Sequence, residues 1–249
     1  MEPNQKKPIR GIFILPSLLT TGALFFGFYS IIKAINGQFE AACIAIFIAM
    51  VLDGLDGRVA RLTNTQSEFG AEYDSLSDNV SFGLAPSLLA YLWILQDLGR
   101  AGWLAAFIFS ACAALRLARF NVQISVIDKA YFQGLASPAA AAVIASFVWV
   151  CSDYGIETNR TTGIALFCVT TLSGLLMVSN VRYHSFKEIN VKNKIPFIVA
   201  VVIMLTFAVL LIQPALILFI LSAGYLLSGP ILTVAGIHQR RKNRRAGVD

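Results

Sequence analysis

Two aspartates near the end of an apolar segment are spaced so that both lie on one face of a helix. At about 100° per residue, Asp53 and Asp56 fall within an arc of roughly 100°. Gly57 and Ala60 fall in the same arc, and their small size leaves room for a bulky group beside the acids. Arg61 follows at the edge of the arc. This face therefore combines two carboxylates with space for a ligand.

A second pair of aspartates follows after a short polar loop. Gly70, Asp74 and Asp78 are spaced at i, i+4 and i+8, which places them along one stripe of the next helix. Because the loop is short, the two helices are antiparallel neighbours and the four carboxylates converge. Four converging acids cannot all stay ionised without cations between them. Oxygen-only ligation suits Mg²⁺ or Mn²⁺, and two such ions roughly 3.5 to 4 Å apart suit phosphoryl transfer, so the sequence predicts a divalent metal site.

The composition places these acids in a membrane protein. Hydrophobic residues make up 57% of the 249 residues and charged residues only 14%, whereas about a quarter of the residues of a soluble protein are charged. Ionised groups at membrane depth cost about 2.5 to 3.5 kcal/mol each, so they are functional candidates. We expect one all-α domain over residues 1–249, a polytopic transmembrane helical bundle with about eight spans. These spans are Ile12–Ile35, Phe39–Ala60, Asp74–Leu95, Trp103–Phe120, Ser137–Cys151, Thr162–Ser179, Ile195–Ile212 and Ala215–Ile237.

The basic residues orient this bundle. With the N-terminus in the cytoplasm and the spans alternating, all of the 20 Lys and Arg residues except Lys33, Arg100 and Arg160 fall at cytoplasmic ends. An even number of spans places the C-terminus in the cytoplasm as well, with a basic tail at 238–249 that anchors to lipid headgroups. The formal net charge of +6 follows from this topology and does not indicate a nucleic-acid partner.

Two other interpretations of the aspartates remain. Aspartates near a helix end can be interfacial caps, although caps do not require four acids at these offsets with glycines between them. Carboxylates in transmembrane helices also line ion paths, so a divalent-cation transporter is the alternative from another functional class. Transport sites favour the bilayer midplane and broken helices, whereas these acids lie at the cytoplasmic end of their helices.

The acids belong to a longer pattern, D-x2-D-G-x2-A-R-x8-G-x3-D-x3-D, which runs from Asp53 to Asp78. This pattern resembles the signature of the CDP-alcohol phosphatidyltransferases, integral membrane enzymes of phospholipid synthesis. Within that family the chain is most similar to the bacterial integral-membrane members that use serine as the acceptor. The segments that carry this likeness are DGLDGRVAR, FGAEYDSLSDNVSFGLAP, LRLARFN, FQGLASPAAA and SNVRYHSFKE.

The resemblance implies an activity and roles for the signature residues. It implies that the four aspartates hold two divalent cations, Mg²⁺ or Mn²⁺, which grip the pyrophosphate of CDP-diacylglycerol. Gly57, Ala60 and Gly70 would line the cytidine pocket, and Arg61 would bind phosphate. Asp78 would act as the general base for the hydroxyl of L-serine, giving phosphatidylserine and CMP. The resemblance also implies a homodimer in the bacterial inner membrane with the active site facing the cytoplasm.

One element departs from the family pattern. Many members carry Pro-Asn-x-Leu-Thr at the start of the first helix, where this chain has LPSLLT, with Ser17 in place of the asparagine. Ser17 and Thr20 are candidates for a hydrogen bond to the nucleotide of the CDP-lipid. Their hydroxyls are equally suited to capping a helix after Pro16.

Candidate acceptor-binding residues lie at other cytoplasmic ends. Arg116 and Arg119 are spaced at i, i+3 in LRLARFN, and Asn121 and Gln133 follow in the chain. These arginines are placed to meet the serine carboxylate or a lipid phosphate, or to snorkel toward lipid headgroups.

The loop SNVRYHSFKE adds Arg182 and Lys187, which also fit an ordinary positive-inside loop. Serine, a zwitterion, needs one cation and one anion or carbonyl. A phosphorylated acceptor, glycerol 3-phosphate or an inositol phosphate, needs a cluster of cations. Arg116, Arg119 and Arg182 can supply such a cluster, so the residues alone leave the acceptor open.

Two proline sites predict features of the backbone. Ser137-Pro138 opens a stretch of small residues that favours close helix packing, and it is a candidate for a break beside the site. Gly229-Pro230 predicts a kink in the last span.

Overall fold

The structure is a computed structural model that describes residues 14–123, 131–184 and 212–245. Within these residues the regular secondary structure is helical apart from two three-residue strands. In chain order the elements are α1 (Ile14–Ile35), α2 (Phe39–Thr63), α3 (Glu68–Asp78), a π-helical turn (Asn79–Leu84), α4 (Ala85–Trp93), a 3₁₀ turn (Leu95–Leu98), α5 (Arg100–Gln123), β1 (Tyr131–Gln133), α6 (Ser137–Asp153), α7 (Arg160–Val178), β2 (Arg182–His184) and α8 (Pro214–Arg245).

The first two helices form an antiparallel hairpin. In the turn between them Gly37 has a positive φ of 71°, which glycine adopts without steric cost. Lys33 Nζ donates to Gln38 Oε1 across the turn at 2.7 Å. Deeper in the hairpin, Ser30 Oγ donates to the Ala42 carbonyl at 2.9 Å. The hairpin therefore brings the start of α1 alongside the acidic end of α2.

The second acidic pair lies on a helix whose first turn is capped by a serine. Ser67 Oγ accepts a hydrogen bond from the Gly70 backbone N–H at 3.0 Å, which satisfies a donor that a helix start leaves unpaired. From Glu68 the chain runs through α3, the π-helical turn and α4. The span predicted to begin at Asp74 therefore starts earlier, because the cap lies at Ser67.

The backbone of α1 lies in close contact with the backbone of the π-helical turn. A Cβ added at Gly27 would lie 2.7 Å from Ser81 Cα, so only glycine allows this approach. Ser81 Oγ donates to the Ala23 carbonyl at 3.1 Å, and Ser77 Oγ donates to the Thr20 carbonyl at 3.2 Å. These contacts hold the second acidic helix on α1.

α6 is the central helix of the core and contacts α2, α4, α7 and α8. Its buried positions include small residues, for example Ala140, Ala141 and Ala145, which let helices approach closely. Ser146 and Ser222 share a 3.0 Å hydrogen bond between α6 and α8. The packing role predicted for this alanine-rich stretch is confirmed, and α6 begins at Ser137 with a proline in its first turn.

The two short strands pair antiparallel and join the loop before α6 to the loop after α7. Tyr131 is opposite His184, Phe132 opposite Tyr183 and Gln133 opposite Arg182. Gly134 follows with a φ of 81°, its N–H bonded to the Val181 carbonyl. Both segments lie between the predicted spans, and three-residue strands carry too little pattern to detect from sequence.

Tyr183 anchors this ribbon to α8. Its ring is fully buried, and its hydroxyl donates to the Leu226 carbonyl at 3.1 Å. That carbonyl is available because the residue four positions later, Pro230, has no N–H to donate. A Cβ added at Gly229 would overlap atoms of the Tyr183 ring. α8 continues through Pro230, so the Gly-Pro pair forms a socket for an aromatic side chain.

Four helices in the described ranges are long and apolar enough to cross a membrane: Leu15–Ile35, Arg100–Val122, Arg160–Val178 and Pro214–Thr233. The apolar helix Ser137–Asp153 is shorter. α2 and the α3–α4 unit carry the aspartates and are not among the four. The structure thus agrees with a helical membrane protein, and the predicted span Ile195–Ile212 lies outside the described residues except at its last position.

Candidate active site

Three aspartates from two helices meet at one point. One carboxylate oxygen each from Asp53, Asp56 and Asp74 lies within 4.8 Å of the others. Asp56 is buried, with 5% of its surface exposed, and the other two are half-buried. α2 supplies the first two acids and α3 the third, as the spacing predicts. We refer to these three residues as the carboxylate cluster.

Asp78 lies beside the cluster. Its side chain is hydrogen-bonded to that of Asp53 and interacts electrostatically with those of Asp74 and Asp56. Two ionised carboxylates this close to hydrogen-bonding contact repel each other, so a proton or a cation must lie between Asp53 and Asp78. The four predicted acids are therefore neighbours, with three of them in one group of possible ligands.

Thr20 supports the cluster from α1. Its Oγ1 lies 2.6 Å from Asp56 Oδ2 and 3.1 Å from the Pro16 carbonyl, and the residue is buried. From the sequence, Thr20 was a candidate for a hydrogen bond to the nucleotide or for a helix cap. In the structure its hydroxyl bonds a carboxylate of the cluster, where it orients that acid. Ser17 lies one turn earlier and is half-buried.

The residues predicted to line the nucleotide pocket border the same face. Gly57 is exposed, and a Cβ added there would meet no described atom within 4 Å. Ala60 and Gly70 are half-buried, and Arg61 is exposed. A Cβ at Gly70 would lie 3.1 Å from Ser67 Oγ. Small residues thus leave open space beside the acids at Gly57.

Arg116 extends from α5 toward the acids. Its Nη1 donates to Ser137 Oγ at 3.0 Å, and its charge interacts with Asp78 and Tyr225. Its Nε is buried and has no hydrogen-bond partner among the described residues. Ser137, predicted only as a backbone break, therefore fixes one end of this guanidinium.

The other residues predicted for the acceptor have different surroundings. Arg119 donates from Nη2 to Asn180 Oδ1 at 3.0 Å and from Nη1 to the Val178 carbonyl at 3.4 Å, at the end of α7. Asn121 accepts from Ser75 Oγ and donates to Glu72 Oε2, both at 3.1 Å, so it braces α5 against α3.

Gln133 and Arg182 are opposite each other in the ribbon, so the fold brings these distant positions together. Lys187 lies outside the described residues. Proximity of Gln133 to Arg182 had no signal in the sequence, because it depends on the β1–β2 pairing.

Comparison with known proteins places this arrangement in a family. The profile described as CDP-alcohol phosphatidyltransferase matches residues 13–176, a range that contains all four aspartates, Thr20 and Arg116. The chain belongs to the CDP-alcohol phosphatidyltransferase family. The resemblance drawn from the signature residues is thereby confirmed.

Several relatives within this family carry the same name, CDP-diacylglycerol–serine O-phosphatidyltransferase. The protein of that name from Helicobacter pylori (strain 26695) is 39% identical over 90% of this chain and 92% of its own length. The protein from Bacillus subtilis (strain 168) is 35% identical over 70% of this chain and 92% of its own length. The protein from Mycobacterium leprae is 30% identical over 96% of this chain and 79% of its own length.

The carboxylate cluster of this phosphatidyltransferase fits a divalent cation. All its ligand atoms are carboxylate oxygens, the donors that Mg²⁺ and Mn²⁺ prefer. Asp74 Oδ1 is buried and has no hydrogen-bond partner among the described residues. A buried carboxylate oxygen without a donor is costly, and a bound cation would remove that cost.

One polar residue beside the acids was not among the predicted site residues. Asn79 follows Asp78 at the start of the π-helical turn, and its Oδ1 is buried with no partner among the described residues. Its position in the chain, directly after a signature aspartate, was the available signal. The π-helical turn that directs its side chain could not be read from the residues.

Proposed function

We propose that this chain is a CDP-diacylglycerol–serine O-phosphatidyltransferase. It transfers the phosphatidyl group of CDP-diacylglycerol to the hydroxyl of L-serine and releases phosphatidylserine and CMP. The observation that carries the proposal is the carboxylate cluster, in which Asp53, Asp56 and Asp74 converge within 4.8 Å, in a chain whose relatives of that name match most of its length.

The transfer is a displacement at phosphorus. The serine oxygen forms a bond to the phosphorus that carries diacylglycerol, and the bond from that phosphorus to the oxygen of CMP breaks. CMP leaves with the electron pair, and the serine hydroxyl loses its proton. Asp78 is the proposed acceptor of that proton, since it lies beside the cluster and faces the charge of Arg116.

Two divalent cations, Mg²⁺ or Mn²⁺, are the proposed cofactors. Asp53, Asp56, Asp74 and Asp78 are the proposed ligands. When bound, such ions neutralise charge on the pyrophosphate and on the leaving CMP. Thr20 holds Asp56 in position through its 2.6 Å hydrogen bond, which reduces the freedom of that carboxylate before any ligand arrives.

The proposed nucleotide pocket lies on the same face of α2. Gly57, Ala60 and Gly70 provide space for the cytidine, and Arg61 provides charge for phosphate. The open space at Gly57 supports this assignment. Ser17, at the start of α1, is a further candidate for a hydrogen bond to the nucleotide.

The finer topology also belongs to this proposal. We infer eight spans with both termini in the cytoplasm of a bacterial cell, and an active site that faces the cytoplasm from the inner membrane. The distribution of Lys and Arg supports this orientation. We also propose, from the family resemblance, that the chain forms a homodimer and that membrane lipids surround it. Cysteine-accessibility labelling of single-cysteine variants at loop positions would test the orientation, and in-membrane cross-linking would test the dimer.

An acceptor panel tests the proposed function. Purified protein, CDP-diacylglycerol and Mn²⁺ are combined with L-serine, glycerol 3-phosphate, inositol or an inositol phosphate, and CMP release is measured. Release with serine alone is the expected result. Release with a phosphorylated alcohol would preserve the donor site and refute serine as the acceptor. Absence of release with every acceptor, together with Mn²⁺ flux in proteoliposomes, would favour a cation transporter.

A further inference from the structure

Two buried polar atoms beside Asp78 have complementary chemistry and no partner among the described residues. One is Asn79 Oδ1, a hydrogen-bond acceptor, and the other is Arg116 Nε, a charged donor. Leaving either atom unpaired away from water costs folding free energy. A ligand that brings a donor to the amide and an acceptor to the guanidinium would satisfy both.

The two side chains lie on facing elements. A Cβ added at Gly83 would lie 3.0 Å from Asn79 Oδ1 and 3.2 Å from Ala113 Cβ, so the Asn79 amide and Ala113 of α5 both lie next to Gly83, where the π-helical turn packs on α5. Arg116 lies three residues further along α5, on the same face, and its charge interacts with Asp78. The amide and the guanidinium therefore border the aspartate that is the proposed general base.

We propose that Asn79 and Arg116 bind the amino-acid part of the acceptor, and this proposal rests on the proposed function. The guanidinium pairs with the α-carboxylate, and the Asn79 carbonyl oxygen accepts a hydrogen bond from the α-ammonium group. Ser137 holds the guanidinium through its 3.0 Å hydrogen bond from Nη1, which leaves Nε for the ligand. The acceptor hydroxyl then lies toward Asp78.

This pair also discriminates between classes of acceptor. A phosphorylated alcohol would place anionic oxygens near the Asn79 carbonyl oxygen, which has no proton to offer them. An ammonium group is a donor with positive charge and is attracted there, with the nearby aspartates adding to the attraction. Selection of an amino acid over a sugar phosphate thus follows from one acceptor atom and one cation.

The test compares three variants with wild type for the KM of serine, the KM of CDP-diacylglycerol and the midpoint of thermal unfolding in detergent. Asn79→Leu replaces the amide, whose Oδ1 has no described partner, with an apolar group of similar size, and Arg116→Gln removes the cation. Thr170→Val is the matched control, because Thr170 Oγ1 is also buried without a described partner but lies on α7, which carries none of the acids. Gly83→Ala is the second variant for the Asn79 amide, because the added Cβ would lie 3.0 Å from Asn79 Oδ1.

The expected result is a rise of about tenfold or more in the KM of serine for Asn79→Leu and Arg116→Gln. The KM of CDP-diacylglycerol should stay within about twofold, and Asn79→Leu should unfold no earlier than wild type because an orphan polar group has gone. Thr170→Val should leave both KM values unchanged. If Asn79→Leu does not fold, Gly83→Ala should raise the KM of serine in the same way.

Three outcomes would overturn the proposal. An unchanged KM of serine in a folded Asn79→Leu or Gly83→Ala protein would remove Asn79 from the acceptor site. Equal rises in both KM values would show a structural role. Wild-type protein that releases no CMP with serine would refute the proposed function itself, which is a different failure from an active wild type with unaffected variants.

Discussion

The hydroxyl of Thr20 lies 2.6 Å from Asp56 Oδ2, so the first helix positions a carboxylate on the second. Thr20 also receives a hydrogen bond on its backbone carbonyl from Ser77, one residue before Asp78. One threonine therefore touches both helices that carry the acids. This contact explains how the start of α1 contributes to a site whose ligands all lie elsewhere.

Thr20→Val should weaken the affinity of the site for the cation without removing a ligand. Residues that orient metal ligands typically contribute about 10- to 100-fold to metal affinity or activity, and valine keeps the shape of threonine while losing its hydroxyl. We expect the Mn²⁺ concentration for half-maximal CMP release to rise by about that factor. Thr20→Ser should restore it.

Thr21→Val is the control for that change. The Thr21 hydroxyl bonds to the Ser17 carbonyl and to Tyr73 Oη, neither of which is a carboxylate of the cluster. An equal effect of Thr21→Val and Thr20→Val on the Mn²⁺ requirement would refute a specific role for the Thr20–Asp56 bond.

Asp78→Asn should abolish turnover while leaving most of the CDP-lipid binding. The amide has the size of the carboxyl group but cannot accept the serine proton, and general bases contribute about 10²- to 10⁴-fold. Rates of CMP release and equilibrium binding of CDP-diacylglycerol would be measured on the same preparation. Asp97→Asn, at an exposed aspartate of the 3₁₀ turn, should behave as wild type; turnover by Asp78→Asn at the wild-type rate would refute the general base.

Gly57→Leu should weaken CDP-diacylglycerol binding by occupying the space beside the acids. A Cβ added at Gly57 would meet no described atom within 4 Å, so we expect the variant to fold. Gly54→Leu is matched to it, because Gly54 is also exposed with open space on the same helix but lies off the acidic face. Wild-type affinity in Gly57→Leu, or an equal loss in both variants, would contradict the proposed pocket.

Gly229→Ala should lower the unfolding midpoint. The added Cβ would lie within 2.7 Å of the Tyr183 ring, and such overpacking costs about 1 to 3 kcal/mol. Gly224→Ala, on the same helix with no described atom within 4 Å, should leave the midpoint unchanged or slightly raised. Thermal unfolding in detergent measures both, and equal midpoints would show that Tyr183 does not depend on the glycine socket.

The sequence predicted those parts of the site that depend on spacing along one helix. Asp53 with Asp56, and Asp74 with Asp78, follow from helical periodicity, and their convergence follows from a short loop. The contact between Thr20 and Asp56 joins residues far apart in the chain, so the same hydroxyl could equally be read as a cap or a nucleotide ligand.

The parts that escaped prediction depend on irregular backbone. The π-helical turn that directs Asn79 and the three-residue strands that pair Gln133 with Arg182 have no periodic pattern. The kink at Gly229-Pro230 stays a prediction, because the helix continues through Pro230, and the partner of this pair, Tyr183, comes from a distant loop. A single sequence gives the type of each residue, but it does not show that Tyr183 packs against Gly229 and Pro230.

Cation dependence of phosphatidylserine formation is the most direct test of a carboxylate site that transfers phosphatidyl groups to serine. Purified protein would be stripped with a chelator, supplied with CDP-diacylglycerol and radiolabelled L-serine, and titrated with Mn²⁺ or Mg²⁺. We predict that labelled phosphatidylserine disappears on chelation, returns with either cation, and fails to return in Asp56→Asn. Undiminished product after chelation, or full recovery in Asp56→Asn, would contradict the role assigned to these acids.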